Sequence, residues 1–258
     1  MKKITAFVGS ARKGHTHDAV AQFLSHLQAM GDIEVEIVRL SDYRIETCKG
    51  CQVCFAKGEE HCPLKDDRDA LIEKMMASDG VVFASPNYSF HVSALMKAFL
   101  DRLGFAFHRP RFFGKAFTSI VAQGIYGGDK IVSYMDFVGN ALGFNLVKGS
   151  CVLTIEPITE KQQRKIDAIL AAHARRYYAR LTEPAYPAPT LFGLMMFRMG
   201  RTKVRLELDD SFCDYVYYKD QGWFDSGFYY PTRLSALMKG IGRLFDLIWA
   251  RTTKARYG

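Results

Sequence analysis

Four cysteines fall close together, Cys48, Cys51, Cys54 and Cys62, spaced Cys-x2-Cys-x2-Cys-x7-Cys with Pro63 directly after the last. Thiolates this near in sequence can converge on one centre without long-range folding. An x2, x2 run with a Cys-Pro ending is a ferredoxin-type grip on a [4Fe–4S] cluster. Tetrahedral zinc is a second chemistry for such a set, although two separated Cys-x2-Cys pairs suit it better. Free thiols in a loop are the third. Cys151 and Cys213 stand alone. Cys151 falls in a predicted strand, where a buried thiol serves as a small hydrophobe. In a cytosolic chain, clustering points to metal or redox chemistry rather than disulfides.

Two loops carry other candidate groups. The apolar run Val81 to Ala84 stops at Ser85-Pro86-Asn87-Tyr88-Ser89-Phe90-His91. An aromatic ring and several hydrogen-bonding groups in one loop suit a flat, polar-edged ligand, and an ordinary strand-to-helix turn is the plain alternative. Tyr88 and His91 are the candidate side chains for chemistry there, as ring neighbours and hydrogen-bond donors. His91 reads equally well as a cap for the following helix. Earlier, Gly9-Ser10-Ala11-Arg12-Lys13-Gly14-His15-Thr16 follows another apolar run. Hydroxyls, small residues and an Arg at a strand-to-helix turn make an anion site, because unpaired helix N–H groups face the loop. Ser10, Arg12, His15 and Thr16 are its phosphate ligands in that reading, and a plain capped turn is the alternative. The loop lacks the Gly-Lys-Ser/Thr ending of a Walker motif and the three spaced glycines of a dinucleotide fingerprint.

The elements that must position these loops are legible as short apolar runs alternating with helical periods. Strands are predicted over Lys3–Val8, Glu34–Leu40, Val81–Ala84, Lys115–Ala122 and Leu146–Ile155. Helices are predicted over about Thr16–Met30, from Asp66 or Asp67 through Met76, and over Val92–Leu103, Asp129–Leu142 and Ile158–Leu181. Alternation of this kind predicts a parallel, doubly wound α/β sheet with helices on both faces. Both candidate loops then lie at the carboxyl ends of strands, where such sheets bind ligands. Gln123-Gly124-Ile125-Tyr126-Gly127-Gly128 ends the fourth strand in the same way.

Glu183-Pro184-Ala185-Tyr186-Pro187-Ala188-Pro189 breaks the pattern and reads as a linker. Beyond it lie a Met- and Phe-rich helix over Leu191–Met199 and an aromatic segment over Phe212–Tyr230. A last amphipathic helix has basic residues Arg233, Lys239, Arg243, Arg251 and Lys254 on its polar face. That helix can pack on protein or lie on a membrane surface. Residues 1–182 are therefore expected to form one domain and 183–258 an extension. So much apolar surface in an extension predicts a homo-oligomer, a dimer or tetramer, in which Trp223, Phe224, Tyr229 and Tyr230 cover a neighbouring site.

Composition limits the function classes. Across 258 residues the apolar fraction is 48% and the formal charge +8. That supports a substantial core and anionic ligands, with no long basic run or nucleic-acid module. No apolar run approaches the ~18 residues of a membrane span. The start Met1-Lys2-Lys3 leads into too short an apolar piece for a secretory signal, so a cytoplasmic protein without an integral membrane segment is expected.

Three segments together carry a family likeness. They are Gly9-Ser10-Ala11-Arg12; Ser85-Pro86-Asn87-Tyr88 followed by Lys97-Ala98-Phe99-Leu100-Asp101-Arg102; and the four-cysteine segment with Asp66-Asp67. The chain resembles the flavodoxin-like NAD(P)H-dependent FMN reductases, within the branch that includes the iron–sulfur flavoproteins, over about residues 1–181. The resemblance implies a flavodoxin-like five-stranded sheet of order 2-1-3-4-5 with FMN at the switch point between the first and third strands. It implies that Ser10, Arg12, His15 and Thr16 hold the FMN phosphate. Ser85, Pro86, Asn87, Tyr88 and Ser89 would line one edge of the isoalloxazine, and Gln123, Gly124, Gly127 and Gly128 another. Ala11 stands where relatives usually have Pro, and the loop is a residue shorter before Thr16. The expected activity is hydride transfer from NAD(P)H to bound FMN and onward reduction of a flavin, quinone or protein acceptor. The rival reading is an iron–sulfur or thiol flavoprotein, an electron carrier or redox sensor without NAD(P)H turnover, in which Cys48, Cys51, Cys54 and Cys62 are the working part and FMN a relay.

Overall fold

The central strands are apolar because both of their faces are covered. β1 (Lys2–Val8) is buried from Ile4 onward and β3 (Gly80–Pro86) throughout, the pattern of a parallel sheet clad on both sides. The computed structural model describes residues 1–257, with side chains through Thr253. β1 pairs in parallel with β2 (Ile33–Arg39) on one side and with β3 on the other. β3 continues to β4 (Ala116–Gln123), which pairs with β5 (Asn145–Leu146) and β6 (Ser150–Leu153). The order is 2-1-3-4-5, as a flavodoxin-like sheet requires.

The expected fifth strand is present in two pieces. Between them Gly149 lies so close to β4 that a Cβ there would overlap Ser119. The Gly149 amide donates to Asp136 Oδ2 at 3.0 Å, and the Thr118 hydroxyl donates to the Val147 carbonyl at 2.9 Å. Side chains thus replace the regular ladder across the break.

Helices α1 (His15–Gln28) and α7 (Glu160–Thr182) cover one face. Val20, Phe23, Leu24 and Leu27 of α1 pack with Leu170, Ala174 and Tyr177 of α7 over Ile4, Ala6, Val82 and Ile120. Each such side chain contributes on the order of 1.5–3 kcal/mol by leaving water. On the other face, Phe7 stacks on Phe99 with centroids 5.6 Å apart, and Phe83 meets Phe117 edge-on at 5.0 Å. Phe99 belongs to α4 (Ala94–Arg102); α3 (Arg68–Met76) and α6 (Gly128–Ala141) complete the set of crossovers.

The chain divides into two compact units. The first comprises Met1–Cys48, Leu64–Gly104 and Pro110–Ala185; the second comprises Lys49–Pro63, Phe105–Arg109 and Tyr186–Gly258. The second contains α2 (Val53–Ala56), most of α5 (Gly104–His108), α8 (Leu191–Glu207), α9 (Cys213–Asp220) and α10 (Ala236–Tyr257). Two short pieces from the first half of the chain thus belong with the extension. Arg109 joins them: its buried guanidinium donates to the Cys54 carbonyl at 2.8 Å, to Glu59 Oε2 at 2.7 Å, and to Asp214. His108 Nδ1 lies 2.8 Å from the other Asp214 oxygen, and its ring stacks on Phe55 at 4.2 Å.

The aromatic segment fills its own unit. Trp223 is 3% exposed and is ringed by Phe197, Tyr217, Tyr218 and Tyr229, with its indole N–H donating to the Tyr229 carbonyl at 3.0 Å. Trp223, expected to reach over a neighbouring site, is thus packed inside its own unit. Exposed apolar side chains of this unit include a ridge on α10, Leu237, Leu244, Leu247 and Ile248. Of its predicted basic residues, the side chain of Lys254 lies outside those described. Among the described residues no helix is long and apolar enough to cross a membrane.

Candidate functional site

Three loops leave the sheet at neighbouring strand ends within the first unit. The Gly9 amide donates to the Ala84 carbonyl at 2.8 Å and the Asn87 amide to the Ala122 carbonyl at 2.8 Å, so the exits from β1, β3 and β4 are held side by side. The first and third strands diverge in connection there, which is the ligand-binding crevice of an open α/β sheet.

The first loop runs into α1. Gly14 caps that helix in an extended conformation and supplies no side-chain bond, so the first-turn amides are not spent on a capping side chain. The Ser10 hydroxyl donates to the Arg12 carbonyl at 2.9 Å and tightens the turn. Ser10 and Thr16 are buried, while Arg12 is exposed. His15 is turned to the side: its Nε2 lies 2.9 Å from Glu156 Oε1, which brings a carboxylate to the rim of the loop. Glu156 carried no signal in the sequence because it sits 141 residues from His15 in the chain.

The second loop is braced from below. Ser85 is fully buried, and its hydroxyl donates to the Pro86 carbonyl and accepts the Ser93 amide at 2.9 Å. Its side chain therefore serves the scaffold. Ser93 caps α4, accepting the Met96 amide at 3.1 Å, and donates to the Gly9 carbonyl. The cap is Ser93 and not His91. His91 instead pairs with Tyr88 through reciprocal backbone bonds of 3.1 and 3.0 Å. The turn between them puts Ser89 at φ 50° and Phe90 at φ 63°. A two-residue hairpin turn of this hand favours glycine and asparagine, and here it is built from side chains that resist it. The result is that Tyr88 and Phe90 project outward, 53% and 60% exposed. The His91 ring lies 5.0 Å from that of Tyr134, whose hydroxyl burial holds above its ordinary pKa.

The third loop meets the second. Asn87 Nδ2 donates to the Tyr126 carbonyl at 2.9 Å, and the Phe90 and Tyr126 rings are 5.2 Å apart. Gly127 adopts φ 89°, and Gly128 opens α6 by donating its amide to Gln123 Oε1 at 2.7 Å. A Cβ at position 128 would overlap both Gln123 and the Cys151 sulfur. Gly124, by contrast, faces open space. Burial pushes the Cys151 thiol up to about 12, so it stays protonated beneath the loop. Phe90, Ile125 and Tyr126 were not singled out in the sequence, although aromatics placed beside turn glycines were a readable signal.

An anion cradle at one strand end and an open glycine backbone beside projecting aromatics at the next fit a phosphorylated planar ring such as FMN. The four cysteines differ in exposure. Cys48 and Cys51 are exposed, Cys54 is half-buried and Cys62 is buried. Among the described residues no three or more His, Cys, Asp or Glu side chains are grouped to hold a metal.

Comparison with known proteins agrees with this geometry. Residues 2–156 match the family model of NADPH-dependent FMN reductases. An iron–sulfur flavoprotein of Archaeoglobus fulgidus is 37% identical over 158 residues, 57% of this chain and 70% of that protein. A second from the same organism is 32% identical over 151 residues, 58% of this chain and 73% of that protein. Among solved structures, RosB with bound 8-demethyl-8-formylriboflavin-5′-phosphate superposes with a TM-score of 0.59 at 12% identity, covering 92% of each chain, a likeness of fold. The motifs, the strand order and these matches agree: the chain is an oxidoreductase belonging to the NADPH-dependent FMN reductase family, with relatives among the iron–sulfur flavoproteins.

Proposed function

We propose that the protein takes hydride from NAD(P)H onto bound FMN and passes the electrons to a second acceptor, a flavin, quinone or protein. The observation that carries this reading is the convergence of three loops at the β1–β3–β4 ends, an anion cradle beside an open glycine backbone. FMN, when bound, supplies hydride acceptance and onward electron transfer, chemistry that belongs to the cofactor. The chain's own residues bind and orient it. Ser10, Arg12, Thr16 and the first-turn amides of α1 hold the phosphate, with His15 and its partner Glu156 at the rim. The backbone of Ser85 and Pro86, with Asn87, Tyr88 and Ser89, lines one edge of the ring. Gln123, Gly124, Gly127 and Gly128 line another, where absent side chains allow close approach. Tyr88, Phe90 and Tyr126 exclude water and offer stacking area to a planar nicotinamide. His91 and Tyr134 stand beside that rim as hydrogen-bonding groups.

The test is anaerobic mixing of purified protein with NADH or NADPH while the visible flavin band is followed. Rapid bleaching by one of the nucleotides is expected. A flavin that bleaches only with a protein donor would transfer the protein to the electron-carrier reading. In the same assay Arg12→Ala is expected to weaken FMN retention roughly 10- to 100-fold, through loss of a charge-assisted contact of ~1.5–3 kcal/mol. Unchanged FMN affinity would remove Arg12 from the site.

The exposed ridge of Leu237, Leu244 and Ile248 supports assembly into a homodimer or homotetramer, since monomers seldom leave such a patch in water. Light scattering of the full-length protein checks this, and a monomer at micromolar concentration would refute it. A cytoplasmic setting, where nicotinamide nucleotides are available, accords with the reading.

A further inference from the structure

Within the second unit, beside α8 and α10, lies a cavity of about 730 Å³ lined by Arg198, Gly227, Thr232, Arg233, Lys239 and Arg243. Its polar lining is one-sided. Four cationic side chains face it together with one hydroxyl. The nearby carboxylate is already engaged: Asp246 Oδ2 accepts from Arg198 at 2.8 Å and from Arg201 at 2.7 Å, and its Oδ1 accepts from Thr202 at 3.1 Å. Among the described residues no carboxylate pairs with Arg233, Lys239 or Arg243.

Arg198 makes this more than a solvated basic face. It is only 9% exposed, yet its Nε–H has no hydrogen-bond partner. A buried guanidinium with an unspent donor, close to further positive charge, costs free energy unless an anion completes it. Arg201 next to it feels the same field: burial, Arg198 and Arg205 hold its guanidinium below the ordinary value, against the pull of Asp246. Converging like charges in a concave site raise the local concentration of anions. Guanidinium forks match phosphate oxygens in geometry as well as charge. The volume lies within the ~300–1,000 Å³ range of small-ligand pockets.

We propose that this cavity is a binding site for a phosphate-bearing ligand, either a soluble phosphate or pyrophosphate compound or the phosphomonoester headgroup of a lipid. Arg198 provides the buried floor, and Arg233, Lys239 and Arg243 provide the exposed rim. Thr232 adds a neutral donor. None of these residues belongs to the candidate flavin loops, so the site is independent of the flavin assignment.

Calorimetric titration of the full-length, FMN-loaded protein with inorganic pyrophosphate at constant ionic strength is one arm. Cosedimentation with phosphatidylcholine vesicles, with and without phosphatidic acid, is the other. The visible flavin band is monitored throughout, and a constant band excludes displacement at the flavin site. Saturable binding is expected in at least one arm: with pyrophosphate it assigns a soluble ligand, and with phosphatidic acid vesicles alone it assigns a headgroup. The double variant Lys239→Ala/Arg243→Ala removes two exposed side chains from the rim and should leave the fold intact. It is expected to raise the dissociation constant by about tenfold or more. No saturable binding in either arm, or equal binding by wild type and double variant, would overturn the proposal.

Discussion

Replacing Arg109 with methionine is expected to destabilise the second unit by on the order of 3–5 kcal/mol, the usual cost of removing one partner from a buried ion pair. Arg109 is fully buried, and burial alone would lower its pKa; Asp214 and Glu59 outweigh that and hold it above the ordinary value. Its removal leaves Asp214, itself buried, facing His108 with no guanidinium, and it takes one hydrogen-bond partner from Glu59 and from the Cys54 carbonyl. The loss of Arg109 also strips a cation from beside the Phe105 and Tyr217 rings. Chemical unfolding followed by the fluorescence of Trp223 and Trp249 reads this unit, because both tryptophans of the chain lie in it. An unfolding free energy within about 0.5 kcal/mol of wild type would show that the network is decorative. A double variant, Arg109→Met with Asp214→Asn, should recover part of the loss, since it removes the uncompensated charge.

Acid should destabilise the first unit through one histidine. His173 is fully buried on α7, and burial, with a smaller push from Arg176, depresses its pKa from 6.5 to about 3. Its tautomer follows from the bonding. The Thr118 hydroxyl spends its proton on the Val147 carbonyl, so His173 Nε2–H must donate to Thr118 Oγ1 at 2.6 Å. Nδ1 then carries the bare lone pair and has no partner. A proton added there would be a buried, unsatisfied charge.

The unfolded chain binds this proton below about pH 6.5 and the folded chain does not. Stability is therefore fully present above about 6.5 and falls as the pH drops toward 3. The slope approaches ~1.4 kcal/mol per pH unit, so about 2–3 kcal/mol is lost by about pH 4.5. Asp136 works in the opposite sense: burial raises its pKa despite bonds from Gly149 and Ser119, so its protonation in acid offsets part of the loss. Urea midpoints measured from pH 7 to 4.5 check the slope. His173→Leu should flatten it, and an unchanged slope in that variant would assign the acid sensitivity elsewhere.

The sheet was readable because its strands are short, apolar on both faces and separated by helices of unmistakable period. Val81 to Ala84 announces a central strand before any contact is known. The break at Val147–Gly149 was not readable, because it is made by Asp136 and Thr118 from other elements. The candidate site was legible in its loops and less so in its details. Ser10 and Arg12 lie between β1 and α1, Thr16 in the first turn of α1, Asn87 just after β3 and Gly128 at the start of α6, the loops that the sequence pattern predicts. Ser85 turned out to brace the scaffold, and Ser93 took the capping role open to His91. The left-handed turn at Ser89 and Phe90 could not be foreseen, since neither residue prefers that backbone.

The long reach of Arg109 also sets an order of assembly. Its partner Asp214 lies 105 residues further along the chain, and its partner Glu59 lies 50 residues before it. On the ribosome, chain emerges at roughly 5–20 residues per second. Arg109 and its first carboxylate partner, Glu59, are therefore synthesised several seconds before its second, Asp214. During that interval α2 and α5 have no α9 to pack against, while β1 to β4 are already available for pairing. Contacts of such large sequence separation also form late in refolding, because their loop closure must precede any gain. Slow, late maturation of the second unit is thus written into its connectivity. A chain cut at the apparent linker near Ala185 would strand two interior segments whose counterpart never arrives.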